Sequence, residues 1–545
     1  MPVAPSVALS REAPARALRL AGWVLGALGA GLRAWQYLGN PSLWIDELAL
    51  TRNILDRSLP ELLSQPLAYS QAAPPGFLLL QELAVALLGS GEHALRAVPF
   101  LAALAALPLF FWLAKQWLGP RAALLAFALF ALAPPLVLRA AEVKQYSTDV
   151  LIALALTALA QRWLVSPGRG RGLALLGAAV LAPWFSHPAG AVLLGIGAWI
   201  MVPALGGEAF RRSRLPAVLL GTVSLALAAL HGRSSVIPGS MKMVLQGFMP
   251  WDAGDGLRWV LTQLPQPLHH EVFGLSLGAA WLYVMLLPIG WWTLWKYRQR
   301  HAAVLLAAPM LVAFAAGVLH LYPFYERLVL YLLPLALLSL AAATELPEFL
   351  PLRGARVIAV AATLLVLAPT VTAAIRRRPT ILREEARPLL AELIARRQRG
   401  EPVYVFFSAW QSVAYYGPRL GLDPAGVHYG RCEPGGRASY LPELGRLARS
   451  PGLWIVFAPE LPRVRRTVLR FLDSLGTRDF SRSMLQRPAR IPAAGSIHHY
   501  SFGRDQKPLP DTSFAWGPEC GEGIGPLFPI DSAPRWTAGS RRPAR

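Results

Sequence analysis

A chain of 545 residues that is 54% hydrophobic and only 15% charged is too apolar to be read as a string of soluble domains. Its formal charge of +22, from 53 Lys and Arg against 31 Asp and Glu, invites a nucleic-acid partner. The placement of the charge excludes one. The basic residues fall in the tail and in short loops beside apolar runs, where cytoplasmic loops of membrane proteins carry them.

A bilayer core about 30 Å thick needs roughly 20 apolar residues per helical crossing. Such segments recur from Leu18 to Ile375. Residues 1–17 contain Arg11 and Arg16 before the first of them, with no convincing small-residue cleavage site after it, so 18–37 reads as an uncleaved first span behind a cytoplasmic segment. The basic loops Lys115 to Arg121, Gly168 to Arg171, Arg211 to Arg214, Lys296 to Arg300 and Arg353 to Arg356 are all expected inside. That requires one crossing between Tyr37 and Lys115. The cleaner 94–114 takes it, and the shorter 74–88, which opens on Pro74-Pro75 and carries Gln81 and Glu82, is laid on the outer face. Further spans are expected at 121–138, 147–165, 172–187, 189–205, 215–231, 273–295, 302–321, 327–344 and 355–375, about eleven in all. The long outer loops are then 38–93 and 232–272, and the odd count puts the tail outside. Arg376 to Arg378 and Arg383 argue the other way, being a cytoplasmic signature directly after the last span.

Residues 376–482 read as a small extracytoplasmic α/β domain. Helical spacing runs over 384–397 and 464–475, and apolar strands are expected at 402–407 and 453–458. From 483 to 545, Pro, Gly, Ser and Arg predict an irregular, partly disordered tail. Cys432 and Cys520 fall in this last third; in an oxidising compartment they form one disulfide, and otherwise remain two thiols.

The chemistry-bearing residues cluster on the expected outer face. The first outer loop has Trp44-Ile45-Asp46-Glu47, then Gln71. Adjacent carboxylates at a membrane surface need a cation, a metal or a proton-transfer role unless they are merely a solvated pair at a helix start. The loop from Arg139 to Asp149 adds Glu142, Lys144, Tyr146 and Asp149; helical geometry would put Glu142 and Tyr146 on one face. An interfacial anchor explains Lys144 and Tyr146 but not the acids. Arg96, His187 in a Ser-His-Pro turn, and Arg327 after Tyr322, Phe324 and Tyr325 are expected at similar depth, giving cations and acids around one outer cavity suited to a lipid phosphate. The loop 232–272 carries Lys242, Trp251, Asp252 and the run His269-His270-Glu271. That run is a candidate divalent-metal site, although adjacent histidines lack the helical spacing that lets two ligands converge.

The order Trp-x-Asp-Glu, Pro-Pro with an apolar helix, Gly-x-x-x-x-x-Leu-Arg over Gly89 to Arg96, and Glu-x-Lys-x-Tyr over 142–146 resembles the GT-C membrane glycosyltransferases. The nearest branch is the one with protein O-mannosyltransferases and lipid A aminoarabinose transferases, family 39. The resemblance spans roughly 20–375 in architecture, with its motifs confined to 40–150. It implies a polyprenyl-phosphate sugar donor, an acceptor hydroxyl on a glycan, lipid or protein, and inverting transfer on the outer face of the inner membrane. It also implies an extracytoplasmic carboxy-terminal domain. Carried onto this chain, Asp46 is the general base and Glu47 shapes the site. Lys144, Arg96 and Arg327 neutralise the departing phosphate, while Glu142 and Tyr146 orient the lysine and the sugar. The family more often has Arg where this chain has Lys144, which keeps the charge and loses the planar fork.

Two other classes compete. A transporter or lipid flippase calls for ionisable residues at mid-membrane in paired repeats, and the mid-span positions here are nearly all apolar. An inert subunit of envelope polysaccharide assembly has no use for the Asp46-Glu47 loop.

Overall fold

A computed structural model describes residues 6–69, 71–201, 246–268, 277–376, 384–430, 440–484 and 495–503. The expectations for 215–231, Lys242, the His269-His270-Glu271 run, Cys432 and Cys520 fall outside those residues, as do Arg377, Arg378 and Arg383. The chain divides into two compact units: one of 1–39, 73–236 and 244–379, the other of 40–72, 237–243 and 380–545.

The first unit is helical. Its described helices are α1 (Ser6–Leu38), then α4 (Pro75–Leu88), α5 (Glu92–Trp117), α6 (Pro120–Leu132), α7 (Pro134–Arg139), α8 (Tyr146–Val165), α9 (Arg169–Phe185) and α10 (Ala189–Met201). After them come α11 (Ala253–Gln263), α12 (Leu277–Tyr297), α13 (Arg300–Val318), α14 (Leu333–Ala343) and α15 (Ala355–Arg376). A 3-10 stretch, Glu326–Leu332, leads into α14. Among the described residues, five helical segments are long and apolar enough to cross a membrane: Glu92–Trp117, Tyr146–Val165, Arg300–Val318, Glu326–Ala343 and Ala355–Ile375. Their surroundings differ. Protein covers 83% of the Glu326–Ala343 window and only 17% of the Ala355–Ile375 window, so the first is core and the second presents Val357, Leu364 and Leu365 outward, a surface that suits lipid and not water. The chain is thus an α-helical, multi-pass membrane protein.

The expected span 121–138 is not one helix. It breaks at Ala133, between α6 and α7, because Pro134 and Pro135 have no N–H to give the carbonyls of Phe130 and Ala131 four residues earlier. Buried Arg33 of α1 replaces both donors: its guanidinium bonds Phe130 O at 3.2 Å and Ala131 O at 3.0 Å, and lies 5.6 Å from the Phe130 ring centroid. A cation inside an apolar bundle is costly unless its N–H groups are engaged, and here the helix break accepts from both terminal nitrogens, with Gly29 O taking a further bond from Nη1. Segment 74–88 forms α4, whose Gln81 and Glu82 are buried while Leu79, Leu83 and Leu87 are exposed.

The second unit gathers the outer loop with the tail. Its helices are α2 (Ile45–Asp56), α3 (Leu59–Ser64), α16 (Ala386–Arg396), α17 (Trp410–Leu420), α18 (Tyr440–Leu447) and α19 (Pro462–Leu475). Its strands are β1 (Val403–Val405), β2 (Val427–Tyr429), β3 (Gly452–Phe457), β4 (Thr477–Met484) and β5 (Gly495–Ser501), in the order β2-β1-β3-β5-β4. β1 pairs in parallel with β2 and β3, whereas β5 runs antiparallel to β3 and β4. The domain is therefore α/β as expected, but it is larger at both ends of its sequence. Residues 40–72, assigned above to the membrane domain, belong to it. The tail expected to be irregular from 483 supplies β5, which lies inside the sheet; its Ser496, Ile497, His498 and Tyr500 are buried. Polar Ser and His mask a strand whose neighbours on both sides are strands.

Candidate active site

The turn before α8 holds a cluster of buried charged side chains. Residues 140–145 are turns and bends, and Tyr146 begins the helix. Glu142 and Tyr146 therefore do not share a helical face, as expected above; Arg139, the last residue of α7, joins them instead. Its guanidinium pairs with the Glu142 carboxylate and lies 5.5 Å from the Tyr146 ring centroid. Arg327 approaches the same ring at 5.9 Å, so two guanidiniums meet one phenol ring. Lys144, only 4% exposed, is tied to the turn through its backbone N–H, which donates to Glu142 O at 2.7 Å. The residue before Arg327, Glu326, has φ of 30°, a left-handed conformation that a glutamate adopts only under constraint.

Arg96 and His187 lie at the same end of the bundle. The Arg162 guanidinium sits 5.3 Å from the Trp112 ring, joining the far ends of α5 and α8, which pack along each other. Arg96 and Tyr146 are each sixteen residues back from that contact, about 24 Å along either helix, and so sit at one level. Arg96 is 1% exposed and close enough to Tyr37, near the end of α1, for its charge to act on the phenol. Ser186, immediately before His187, lies beside the Asp149 carboxyl in the first turn of α8. Desolvation, and then the neighbouring Asp149, Tyr331 and Tyr146, push the Tyr322 hydroxyl well above the ordinary phenol range. Arg96, Arg139, Lys144 and Arg327 thus bring four cations to this end of the helices, where Glu142, Asp149, Glu326 and Glu92 are the acids. Guanidinium and ammonium groups are the charge-assisted donors that a phosphate needs.

The acidic pair of the first outer loop belongs to the second unit. Asp46 and Glu47 open α2 and are 8% and 2% exposed. Carboxylates in a first turn are stabilised by the free amides and dipole of the helix. Asp46 Oδ1 accepts from Gln71 Nε2 at 3.1 Å, and Glu47 Oε2 accepts from the Trp44 backbone N–H at 3.3 Å. The tail fixes the segment just ahead of them. Glu384 accepts from Ile45 N at 3.0 Å, Glu385 from Ser42 N and Oγ at 3.2 and 3.1 Å, and the Tyr416 hydroxyl from Leu43 N at 2.7 Å. Arg387 adds a bond to Asn40 O at 2.6 Å. Asn53 closes the other side, donating to Ala49 O and Ala68 O and accepting from Ala68 N.

Of the expected site residues, Glu142, Lys144, Tyr146 and Arg327 form one cluster in the first unit, with Arg96 and His187 at the same helix level. Asp46 and Glu47 form a second cluster with Gln71 in the other unit. Sequence reasoning missed Arg139, although its spacing of three from Glu142 is a readable pairing signal. It assigned no role to Glu384 and Glu385, which hold the backbone ahead of Asp46. Among the described residues, no group of three or more His, Cys, Asp or Glu side chains is placed to hold a metal ion.

No family model matches the sequence, and no curated protein matches it either. Among solved structures, the chain is similar to ArnT from Cupriavidus metallidurans in the apo state, at 15% identity over 88% of this chain and 98% of that one, with a TM-score of 0.43. The same protein bound to undecaprenyl phosphate gives a TM-score of 0.42 at 15% identity and the same coverage. The archaeal oligosaccharyltransferase AglB from Archaeoglobus fulgidus, in complex with an inhibitory peptide and a dolichol-phosphate, is similar at 11% identity over 90% of this chain and 75% of that one, with a TM-score of 0.47.

Proposed function

We propose that this protein is a GT-C type glycosyltransferase that moves a sugar from a polyprenyl-phosphate donor to an acceptor hydroxyl on the outer face of the inner membrane, with inversion. The observation that carries the reading is the buried turn at the start of α8, where Arg139 and Arg327 both lie against the Tyr146 ring beside Glu142 and Lys144. The ordered motifs Trp44 to Glu47, Gly89 to Arg96 and Glu142 to Tyr146 support the same assignment.

In this mechanism the Asp46 carboxylate takes the proton of the acceptor hydroxyl as its oxygen attacks the anomeric carbon. The bond from that carbon to the phosphate oxygen breaks, and the electron pair leaves with the polyprenyl phosphate. A phosphate leaving group needs cationic stabilisation more than protonation, and Lys144, Arg96 and Arg327 supply it. Glu142, engaged by Arg139, orients the turn that carries Lys144. Tyr146 presents a ring to the sugar. Glu47 shapes the start of α2 through its bond to Trp44, and His187, next to Ser186, contributes a donor at the same helix end. The tail domain faces the same extracytoplasmic side as the reaction, and the acceptor is a glycan, lipid or protein hydroxyl.

The test is transfer by purified protein from a panel of polyprenyl-phosphate sugars. Lys144→Ala is expected to weaken donor use by about 10- to 100-fold with the fold intact, as expected for one lost charge-assisted phosphate contact. Unchanged donor kinetics would remove Lys144 from the phosphate role. For sidedness, a cysteine at Ser450, which is partly exposed, should react with an impermeant label from outside; Ser408 is buried and unsuitable.

A further inference from the structure

The far ends of α5 and α8, together with the start of α9, enclose a cavity of about 510 Å³. This falls within the usual range of small-molecule sites. Twenty residues of α8 separate the Tyr146 end from the Val165 end, about 30 Å of helix, which is the thickness of a bilayer core. The cavity therefore opens at the membrane face opposite the cation-rich turn and plays no part in the chemistry proposed there.

Its lining has two characters. Trp112, Leu159 and Val165 form an apolar wall, while Arg162 and Arg171 bring two guanidiniums, and none of the lining residues is a carboxylate. Arg162 is stacked over Trp112 at 5.3 Å, which leaves its in-plane N–H groups available for a two-pronged contact with an anion. Arg171 is anchored by one bond from Nη1 to Ser166 O at 2.5 Å. Gly170 and Arg171 also belong to the first turn of α9, whose first helical bond is Gly172 N to Gly168 O at 2.9 Å and whose N-cap glycine has no side chain to occupy the free amides. Gln161, 1% exposed, adds an amide oxygen that no donor among the described residues satisfies. Positive charge, helix amides and an acceptor beside an aliphatic and aromatic wall match a molecule that carries both an anionic head and an apolar body.

We propose that this cavity binds the phosphodiester headgroup of an anionic phospholipid from the leaflet opposite the cation-rich turn. The phosphate lies between Arg162 and Arg171 at the start of α9, the headgroup hydroxyls reach Gln161, and the glycerol and upper acyl chain follow Trp112, Leu159 and Val165. A free phosphate ion would use the guanidiniums but not that wall, and a zwitterionic lipid would use the wall but bring no net charge.

The experiment is native mass spectrometry of the delipidated full chain titrated with phosphatidylglycerol, with phosphatidylcholine and inorganic phosphate as comparison ligands. Wild type is expected to retain phosphatidylglycerol well above phosphatidylcholine, and millimolar phosphate is expected not to displace it. The double variant Arg162→Ala, Arg171→Ala should bind it about 30-fold more weakly, as two near-surface cations contribute. Both side chains are exposed, so the fold should survive. Ala174→Trp, at another exposed lining position, keeps every charge and fills the cavity; it should weaken binding as well. Equal binding of phosphatidylcholine, displacement by phosphate, or full binding by either variant would each overturn the proposal.

Discussion

The two units hold their buried carboxylates by different means. In the first, Glu142 is immobilised by a side-chain ion pair with Arg139, both partners being at most 3% exposed. In the second, Asp46 stands at the start of a helix whose preceding backbone is gripped by Glu384, Glu385 and Tyr416. Burying an ion pair is expensive and makes each partner indispensable to the other, because removing one strands a charge in a medium that cannot solvate it. Gripping a backbone spreads the same task over several ordinary hydrogen bonds, each replaceable at a modest cost.

That contrast predicts unequal damage. Glu142→Ala leaves the Arg139 guanidinium buried without its carboxylate, an expected loss of about 3–5 kcal/mol that should appear as a large drop in the detergent unfolding midpoint. A small drop would show that Arg139 finds another partner. The pH response of the second unit should be comparable only in acid. Burial, then the charges of Arg465 and Arg478, hold His498 down at about 3, so it stays neutral in the folded domain. An unfolded histidine titrates near 6.5. The unfolded state therefore binds more protons below that value: this contribution is fully present above about pH 6.5, declines as pH falls, and is exhausted near pH 3. Across that window it amounts to up to about 5 kcal/mol. Hydrogen exchange in β3 and β5 measured from pH 7 to pH 4 should follow that slope, and His498→Asn should flatten it.

Smaller effects come from the helix break and the gripped loop. Arg33→Leu withdraws the donors from Phe130 O and Ala131 O and is expected to cost about 1–3 kcal/mol for each carbonyl left unsatisfied. An unchanged midpoint would mean that the break is satisfied otherwise. Glu384→Gln, which still accepts from Ile45 N, should lose at most about 1 kcal/mol, whereas Glu384→Ala should make residues 40–72 measurably more susceptible to limited proteolysis. Equal susceptibility in both variants would contradict the gripping role.

Most of the helical architecture was legible in the sequence, because apolar length and basic loops follow directly from the solvent the chain must satisfy. The break at Ala133 was written there too, as Pro134-Pro135, but recognising Arg33 as its partner required a contact across about a hundred residues. β5 escaped notice because Ser, His and His at 496, 498 and 499 do not look like a buried strand until its two neighbours are known. In the site, the residue types were readable and their partnerships were not. Glu142 and Tyr146 invited a helical pairing that the turn at 140–145 forbids, and Arg139 does the joining. Nothing local marks Glu384 and Glu385 as the holders of Ser42 and Ile45, since that function exists only once the tail has folded around the loop.

The central claim is that Asp46 deprotonates the acceptor in a transfer from polyprenyl phosphate. Single-turnover transfer by wild type and Asp46→Asn, with a matched polyprenyl-phosphate sugar and its acceptor, tests it directly. Wild type should release polyprenyl phosphate and deliver an inverted glycoside, while the asparagine variant, with donor binding and unfolding midpoint unchanged, should be slower by about 10²- to 10⁴-fold. A variant that transfers at the wild-type rate, or a product that retains the donor's anomeric configuration, would contradict it.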